Sequence, residues 1–323
     1  MVPMDLPFRA DCLDRFLPAE AAQAPWLAKT RSRYSDSSFA DICQGALSDL
    51  NLGGTKRIGF DDLRLGHKLG LPGGQIADAY DPLMACRAIK TKLEVELIRT
   101  ATRINQNAIE HTVGQWTEGM TWRQLNHEYH MAVMTQGGFV HDPGGMVLAH
   151  PRGADSAVSL ETGFEEFEIP VGMHVMFDCH GSWNQYNWDG GKLWVAGDDA
   201  DASTSARVAI TAEVMGAIEG AMRPGVRVSE LQALGRDIYR RNGCTDADDV
   251  LIFFHGLGLS HMDLPEQLSD GRSNGDWQVA EGMVIATHLL MPGGERERVW
   301  LEDVALVQTD GATPLFTWDF APL

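Results

Sequence analysis

Paired cysteines, long apolar runs and an excess of basic residues are all missing from this 323-residue chain. The cysteines, Cys12, Cys43, Cys86, Cys179 and Cys244, are odd in number and scattered, with no CxxC spacing. No disulfide framework can be read from them, and they point to a reducing, cytoplasmic compartment. The longest apolar runs, such as residues 250–254, fall far short of the roughly 20 residues that a membrane helix needs. The opening MVPMDLPFRADCLDRF carries acidic residues where a secretory signal requires an apolar stretch. A soluble protein with no membrane partner is expected. Lys and Arg number 26 against 45 Asp and Glu, a formal charge of −19, and such a surface repels nucleic-acid phosphates. Nucleic acid is therefore not expected as a partner.

What is present is an ordinary globular composition, 44% hydrophobic and 22% charged, able to bury a sizeable core. The first part of the chain is irregular, with Pro18, Pro25, Pro72 and Gly53-Gly54, and only Arg57–Asp61 reads as a short strand and turn. We read residues 1–85 as a small N-terminal domain or arm and residues 86–323 as the main domain. From Lys92 the pattern sharpens. Leu93, Leu97, Ala101, Ile104, Ala108 and Ile109 recur at helical spacing with no Pro or Gly before Gly114, which predicts a long helix.

A faint internal duplication follows. Gly119 leads a helical stretch that stops at Gly137, and Gly225 leads another, over the same interval, that stops at Gly243. Capping boxes are expected at Thr121 with Gln124 and at Ser229 with Gln232. Each stretch follows another helical segment, residues 92–113 and about 204–222. Downstream, Gly172-Met173 and Gly282-Met283 each lead an apolar strand with a polar residue six positions after the glycine, Asp178 and His288. Two helix-helix-strand units related by a pseudo-twofold axis are predicted, with Asp178 and His288 facing each other across a central cleft.

Polar residues with metal-ligand chemistry interrupt apolar strands at Asp178, Asp189, His255, His288 and Glu302. A carboxylate in such a run is costly unless a cation or another partner neutralises it. Asp178 and Asp189 are separated by eleven positions, His255-Gly256-Leu257-Gly258 forms an HGxG segment with Pro265 ten residues on, and Glu302-Asp303 precedes an apolar strand ending at Gly311. In these motifs the chain, from about Met84 onward, resembles the pita-bread metalloenzymes: methionine aminopeptidase, proline aminopeptidase, prolidase and creatinase. The segment from Arg87 to Arg99 is similar to that family's entry to its catalytic domain.

The resemblance implies an α+β pita-bread fold, with the duplicated units around a curved antiparallel sheet plus a small N-terminal domain. It also implies a cage of Asp178, Asp189, His255, His288 and Glu302 around two divalent transition-metal ions, Mn favoured and Fe, Co or Zn also suited. Several positions depart from the family. The slot at 288 is glutamate in the metallopeptidases, and His180, two residues after Asp178, is a candidate extra ligand or a structural neighbour. Met262 occupies the slot of the second peptidase histidine, with His261 beside it. The earlier peptidase histidine has no clear match, and His150 is a candidate replacement. Glu302, His261 and His150 are the candidate proton-transfer groups, and Arg152 the candidate for holding a substrate carboxylate.

The implied activity is metal-dependent hydrolysis of an amide-type C–N bond in a small or dipeptide-like substrate, as in Xaa-Pro dipeptidase, by a cytoplasmic homodimer. The alternatives are a creatinase-like metal-free hydrolase or lyase, a non-catalytic ligand-binding relative, and a non-haem iron oxidative enzyme.

Overall fold

The computed structural model describes residues 57–140, 146–148, 167–263, 276–294 and 296–323, with a few positions between 41 and 49. The chain divides into two compact units, residues 1–83 and 84–323. In the first, the strand β1 (Ile58–Phe60) pairs in parallel with β2 (Ile76–Asp78), and the helix α1 (Leu63–Lys68) lies between them in sequence. Asp62 starts α1 by accepting a hydrogen bond from the Arg64 N–H, a local cap that the sequence reading passed over. The boundary between the units falls within α2 (Tyr80–Ala88).

The second unit begins with the expected long helix, α3 (Lys92–Gln115). Thr91 and Glu94 close a reciprocal capping box at its start, and Val95, Ile98, Ala101, Ile104, Ala108 and Ile109 form its buried stripe. It is followed by α4 (Trp122–Thr135), β3 (Phe139–Val140), β4 (Met146–Leu148), β5 (His174–Asp178), β6 (Gly181–Trp183), β7 (Tyr186–Trp188) and β8 (Gly191–Val195). The second half runs α5 (Ala202–Ala221), α6 (Val228–Arg241), β9 (Leu251–Gly256), β10 (Val284–Met291), β11 (Val299–Gln308) and β12 (Gly311–Pro314). A seven-stranded antiparallel sheet in the order β4-β5-β8-β11-β10-β9, with β12 on β11, joins the halves at the β8–β11 seam. A separate three-stranded sheet is ordered β3-β6-β7.

The duplication holds at the level of single hydrogen bonds. Helices α4 and α6 are both 14 residues long, and Gly119, Gly137 and Gly172 match Gly225, Gly243 and Gly282 in adopting left-handed backbone, with φ between 79° and 91°. The Trp122 N–H donates to Phe167 as Val228 does to Trp277, and Gly172 donates to Ala196 as Gly282 does to Val307. Each helix pair packs on its own strands. One apolar cluster joins α3 and α4 to β5 and β8, and another joins α5 and α6 to β9, β10 and β11. The capping expectation is met at Thr121–Gln124 and corrected in the second copy. There α6 starts at Val228, Ser229 lies inside the first turn, and the N-terminal Arg227 N–H is capped by Glu230. With Arg at the cap position no side-chain oxygen is available to complete a box, so only its reverse half forms.

Candidate metal centre

Strand register brings the polar residues together. His288 on β10 pairs directly with Glu302 on β11, and on its other side β10 places Ala286 opposite His255 of β9. Because side chains alternate along a strand, His288, Glu302 and His255 emerge on one face. Across the seam Glu302 pairs with Gly191, two residues after Asp189, which delivers the Asp189 carboxylate to the same place. No side chain fits at Gly191: a Cβ there would lie 2.0 Å from the Phe177 carbonyl oxygen, so glycine is what lets β8 and β5 close around the centre.

Asp189, His255, His288 and Glu302 are all buried, and each offers a ligand atom within 4.8 Å of the others. His255 Nε2 is 3.3 Å and His261 Nε2 2.7 Å from Asp189 Oδ2, and His288 Nε2 is 3.2 Å from Glu302 Oε1. The Nε2 atoms of His255 and His288 are 2.9 Å apart. Yet Asp189 Oδ2 and both Glu302 oxygens lack a hydrogen bond of sound geometry. Nitrogens and oxygens converge on a common point, as ligand atoms do around a cation, instead of pairing as donors and acceptors. His255 Nδ1 lies 2.9 Å from the Gly256 carbonyl oxygen, and donation there leaves the Nε2 lone pair directed at the centre. The donor set of two imidazoles and carboxylates suits a divalent transition metal.

The electrostatics agree with a centre built for positive charge. Burial and then the Asp189 charge push Asp178 up to about 7. Burial, Asp189 and Asp178 likewise hold Glu302 well above the usual carboxylate range. Burial also acts upward on Asp189, but His255 and His261 outweigh it and hold that carboxyl well below the usual range. Burial and the neighbouring His255 push His288 down to about 3, so it is neutral and able to ligate across the physiological range. Asp178 is not among the four converging residues. It ends β5, half-buried, close enough to Asp189 and Glu302 to perturb both, while His288 interacts with His255 and Glu302.

His261 lines a cavity together with His180, Ser182, Asn187 and Ser260, and its ring stacks on His180 at 4.0 Å and 4°. Burial acts to lower its pKa, but the Asp189 contact and charge prevail and raise it. The other residues proposed for proton transfer and carboxylate binding, His150 and Arg152, and Pro265 of the HGxG segment, lie outside the described residues. Trp300 packs edge-on against His288 and donates to the Phe177 carbonyl.

Two supporting groups escaped the sequence reading. Asn105 of α3 donates from Nδ2 to the carbonyls of Cys179 and Gly190, the residues that follow Asp178 and Asp189. Tyr129 of α4 donates to Asn105 Oδ1, and Trp188 Nε1 to Tyr129 Oη, forming a buried chain behind both aspartates. On the other side, the loop carrying His261 is pinned at both ends. Gly258 O accepts from the backbone and side chain of Asn187, and buried Asp263 accepts from Arg87. Lys90 lies beside the same carboxylate, where burial lowers its ammonium to about 8 despite the Asp263 charge. A helical Asn and a Lys just before a helix carry no local sign of such roles; only the fold brings them there.

A duplicated helix-pair scaffold closing an antiparallel sheet around buried Asp, His and Glu ligands defines a metal-centred pita-bread protein. The Metallopeptidase family M24 model matches residues 96–309, and the chain belongs to that family. It is 26% identical over 241 residues to the Xaa-Pro dipeptidase of Pyrococcus furiosus, covering 73% of this chain and 65% of that protein. The chain thus spans just under two thirds of the length of this curated relative. Among solved structures it is similar to the X-Pro aminopeptidase of Thermotoga maritima, with a TM-score of 0.71 at 18% identity over 89% of this chain and 80% of that one. It is also similar to the Pyrococcus furiosus prolidase, with a TM-score of 0.66 at 21% identity over 88% and 81%. These structures share its fold.

Proposed function

We propose that the protein is a metal-dependent hydrolase of an amide-type C–N bond in a dipeptide-like substrate, with an Xaa-Pro dipeptide the nearest guide. The observation that carries this reading is the buried convergence of Asp189, His255, His288 and Glu302, in which Asp189 Oδ2 and both Glu302 oxygens lack proper hydrogen bonds. These four residues would hold a divalent ion, with Asp178 as the further carboxylate of the cage. Bound divalent ions supply an activated water and polarise the scissile carbonyl, and Mn, Fe, Co and Zn all suit this mixed donor set. Glu302, buried among the converging ligand atoms, would accept and return the proton of the attacking water. His261, on the cavity side and more readily protonated than a free histidine, is placed to donate to the leaving nitrogen or to stabilise the oxyanion. His150 and Arg152 stay in the proposal as a second proton donor and a carboxylate anchor. A cytoplasmic homodimer completes it; no helix among the described residues is long and apolar enough to cross a membrane.

Two histidines beside carboxylates also match the ligand type of non-haem iron oxygenases, the second reading that the site favours. The test is an assay of Xaa-Pro dipeptides with Mn added to chelator-treated protein, run beside an oxygen-uptake assay with ferrous iron. Mn-dependent dipeptide cleavage supports the hydrolase. Oxygen uptake without cleavage replaces it with the oxidative reading.

A further inference from the structure

We infer that Gln185 sets substrate specificity: from the tip of the β6–β7 hairpin it reads a hydrogen-bonding side chain on the substrate, so that polar dipeptides are preferred to apolar ones. The inference rests on the hydrolase reading above and names the class of substrate that its site takes.

The cavity bordered by His180 and His261 measures about 390 Å³, within the range of small-ligand sites. Ser182, Gln185, Asn187 and Ser260 form its other walls, and among the described lining residues only Leu259 is apolar. Small-ligand sites are usually walled by apolar side chains with a few polar groups among them. Here the proportion is reversed. An apolar group entering this cavity would strip water from hydroxyls and amides without replacing their hydrogen bonds.

Gln185 is singled out by its backbone. Trp183 pairs with Tyr186, which leaves a two-residue loop in which Asn184 and Gln185 have φ of 48° and 71°. Positive φ at both positions defines a type I′ hairpin turn, for which Asn followed by Gly is the favoured pair. Asn184 obeys that preference, whereas Gln185 occupies the position where glycine would be unstrained. Nothing inside the protein offsets the strain: the Gln185 side chain is exposed and makes no hydrogen bond among the described residues. It lines the cavity instead.

The opposite wall is fixed against the hairpin. Asn187 donates from its backbone N–H and from Nδ2 to the Gly258 carbonyl, at 2.8 and 3.0 Å, and so ties β7 to the loop that carries Ser260 and His261. Arg87 donates to Ser260 Oγ at 2.8 Å, which fills an acceptor position of that hydroxyl and leaves its O–H to donate to a ligand. A substrate side chain in the cavity thus meets a donor at Ser260 and an amide at Gln185 that both donates and accepts. An asparagine or glutamine side chain satisfies both, and an aliphatic one satisfies neither.

The experiment measures kcat/KM of the Mn-loaded full chain for two near-isosteric pairs, Asn-Pro with Leu-Pro and Ala-Asn with Ala-Leu, which vary the residue on either side of the scissile bond. Wild type is expected to favour Asn over Leu about tenfold or more in at least one pair. Gln185→Gly is expected to lower that ratio about three- to tenfold, the worth of one hydrogen bond, while its melting temperature stays level or rises because glycine relieves the turn. Gln185→Asn, a shorter amide that left-handed backbone tolerates, is expected to keep part of the preference. A lowered ratio in a protein that is no less stable reports the missing amide and not a damaged fold. Leu equal to or above Asn in both pairs, an unchanged ratio in Gln185→Gly, or a lower melting temperature of that variant overturns the inference and leaves the hydrolase reading standing. Calorimetric titration of the same dipeptides into chelator-treated protein separates the two readings. Asn favoured in binding, with no cleavage by the Mn-loaded chain, overturns the hydrolase reading alone; neither a binding preference nor cleavage overturns both.

Discussion

At position 288 an imidazole stands where the resembled peptidases place a glutamate, and its neighbourhood explains how the exchange is tolerated. Burial and His255 keep it neutral, down to a pKa of about 3, so it contributes a nitrogen without a positive charge beside His255. His288→Ala is expected to weaken Mn or Co binding by at least about 10–100-fold, the range already seen when supporting residues of metal sites are removed; calorimetric titration measures it. Asp263 acts at one remove, through the loop that carries His261. Asp263→Asn weakens the Arg87 and Lys90 attachments, and small misplacement of a reacting group can cost on the order of 100-fold in rate. The expected result is a fall in kcat with metal content unchanged. The candidate ligands Asp189, His255, His288 and Glu302, which the fold brings together, were legible in the sequence because each interrupts an apolar strand at a recognisable interval. Asn105, Lys90 and Asp263 were not, because the contacts that tie them to the site span 74 or more positions and no local pattern marks them.

Between α5 and β11, Glu219 and Asp303 face each other on the side of β11 opposite to Glu302. Burial, with Asp303 adding to it, pushes Glu219 up to about 9, and burial pushes Asp303 up to about 7. A neutral partner satisfies this contact, so Glu219→Gln is expected to match or exceed wild-type stability at pH 8. Glu219→Ala, which strands a buried polar partner, is expected to cost about 1–3 kcal/mol in urea unfolding. A pair of glycine substitutions separates close approach from simple flexibility. Gly191→Ala places a Cβ 2.0 Å from a backbone oxygen and should destabilise by about 1–3 kcal/mol or more. Gly216→Ala, on an exposed face of α5 with nothing within 4 Å, should stabilise by about 0.5–1 kcal/mol. The long helix α3 and both closing glycines could be read from periodicity and spacing. The second capping box could not, because Ser229 and Gln232 have the right chemistry two positions too late, and Glu230 competes successfully from N3.

For the whole molecule, protonation, charge and metal act in one direction. Asp178, Asp303 and Glu219 have folded pKa values of about 7, 7 and 9 against 3.8 and 4.5 for ordinary Asp and Glu. Across roughly pH 4 to 9 the folded chain therefore holds protons that the unfolded chain releases, so their contribution to stability falls as pH rises. Asp189, depressed, opposes this only at the acid end. A formal charge of −19 adds self-repulsion of the same sign as the raised carboxyls. The melting temperature of chelator-treated protein is expected to fall between pH 5 and pH 8, and added Mn to restore more of it at pH 8 than at pH 5. Differential scanning calorimetry at the two pH values reads both effects.

The buried chain from Trp188 through Tyr129 to Asn105 grips main-chain carbonyls, and so holds the two aspartate turns without touching the carboxylates themselves. The frame is thereby independent of the chemistry mounted on it. Side chains at 178 and 189 can therefore be exchanged with little disturbance to the backbone that carries them. A lineage built this way can explore new reactivity by exchanging single ligands, without first having to find a new architecture.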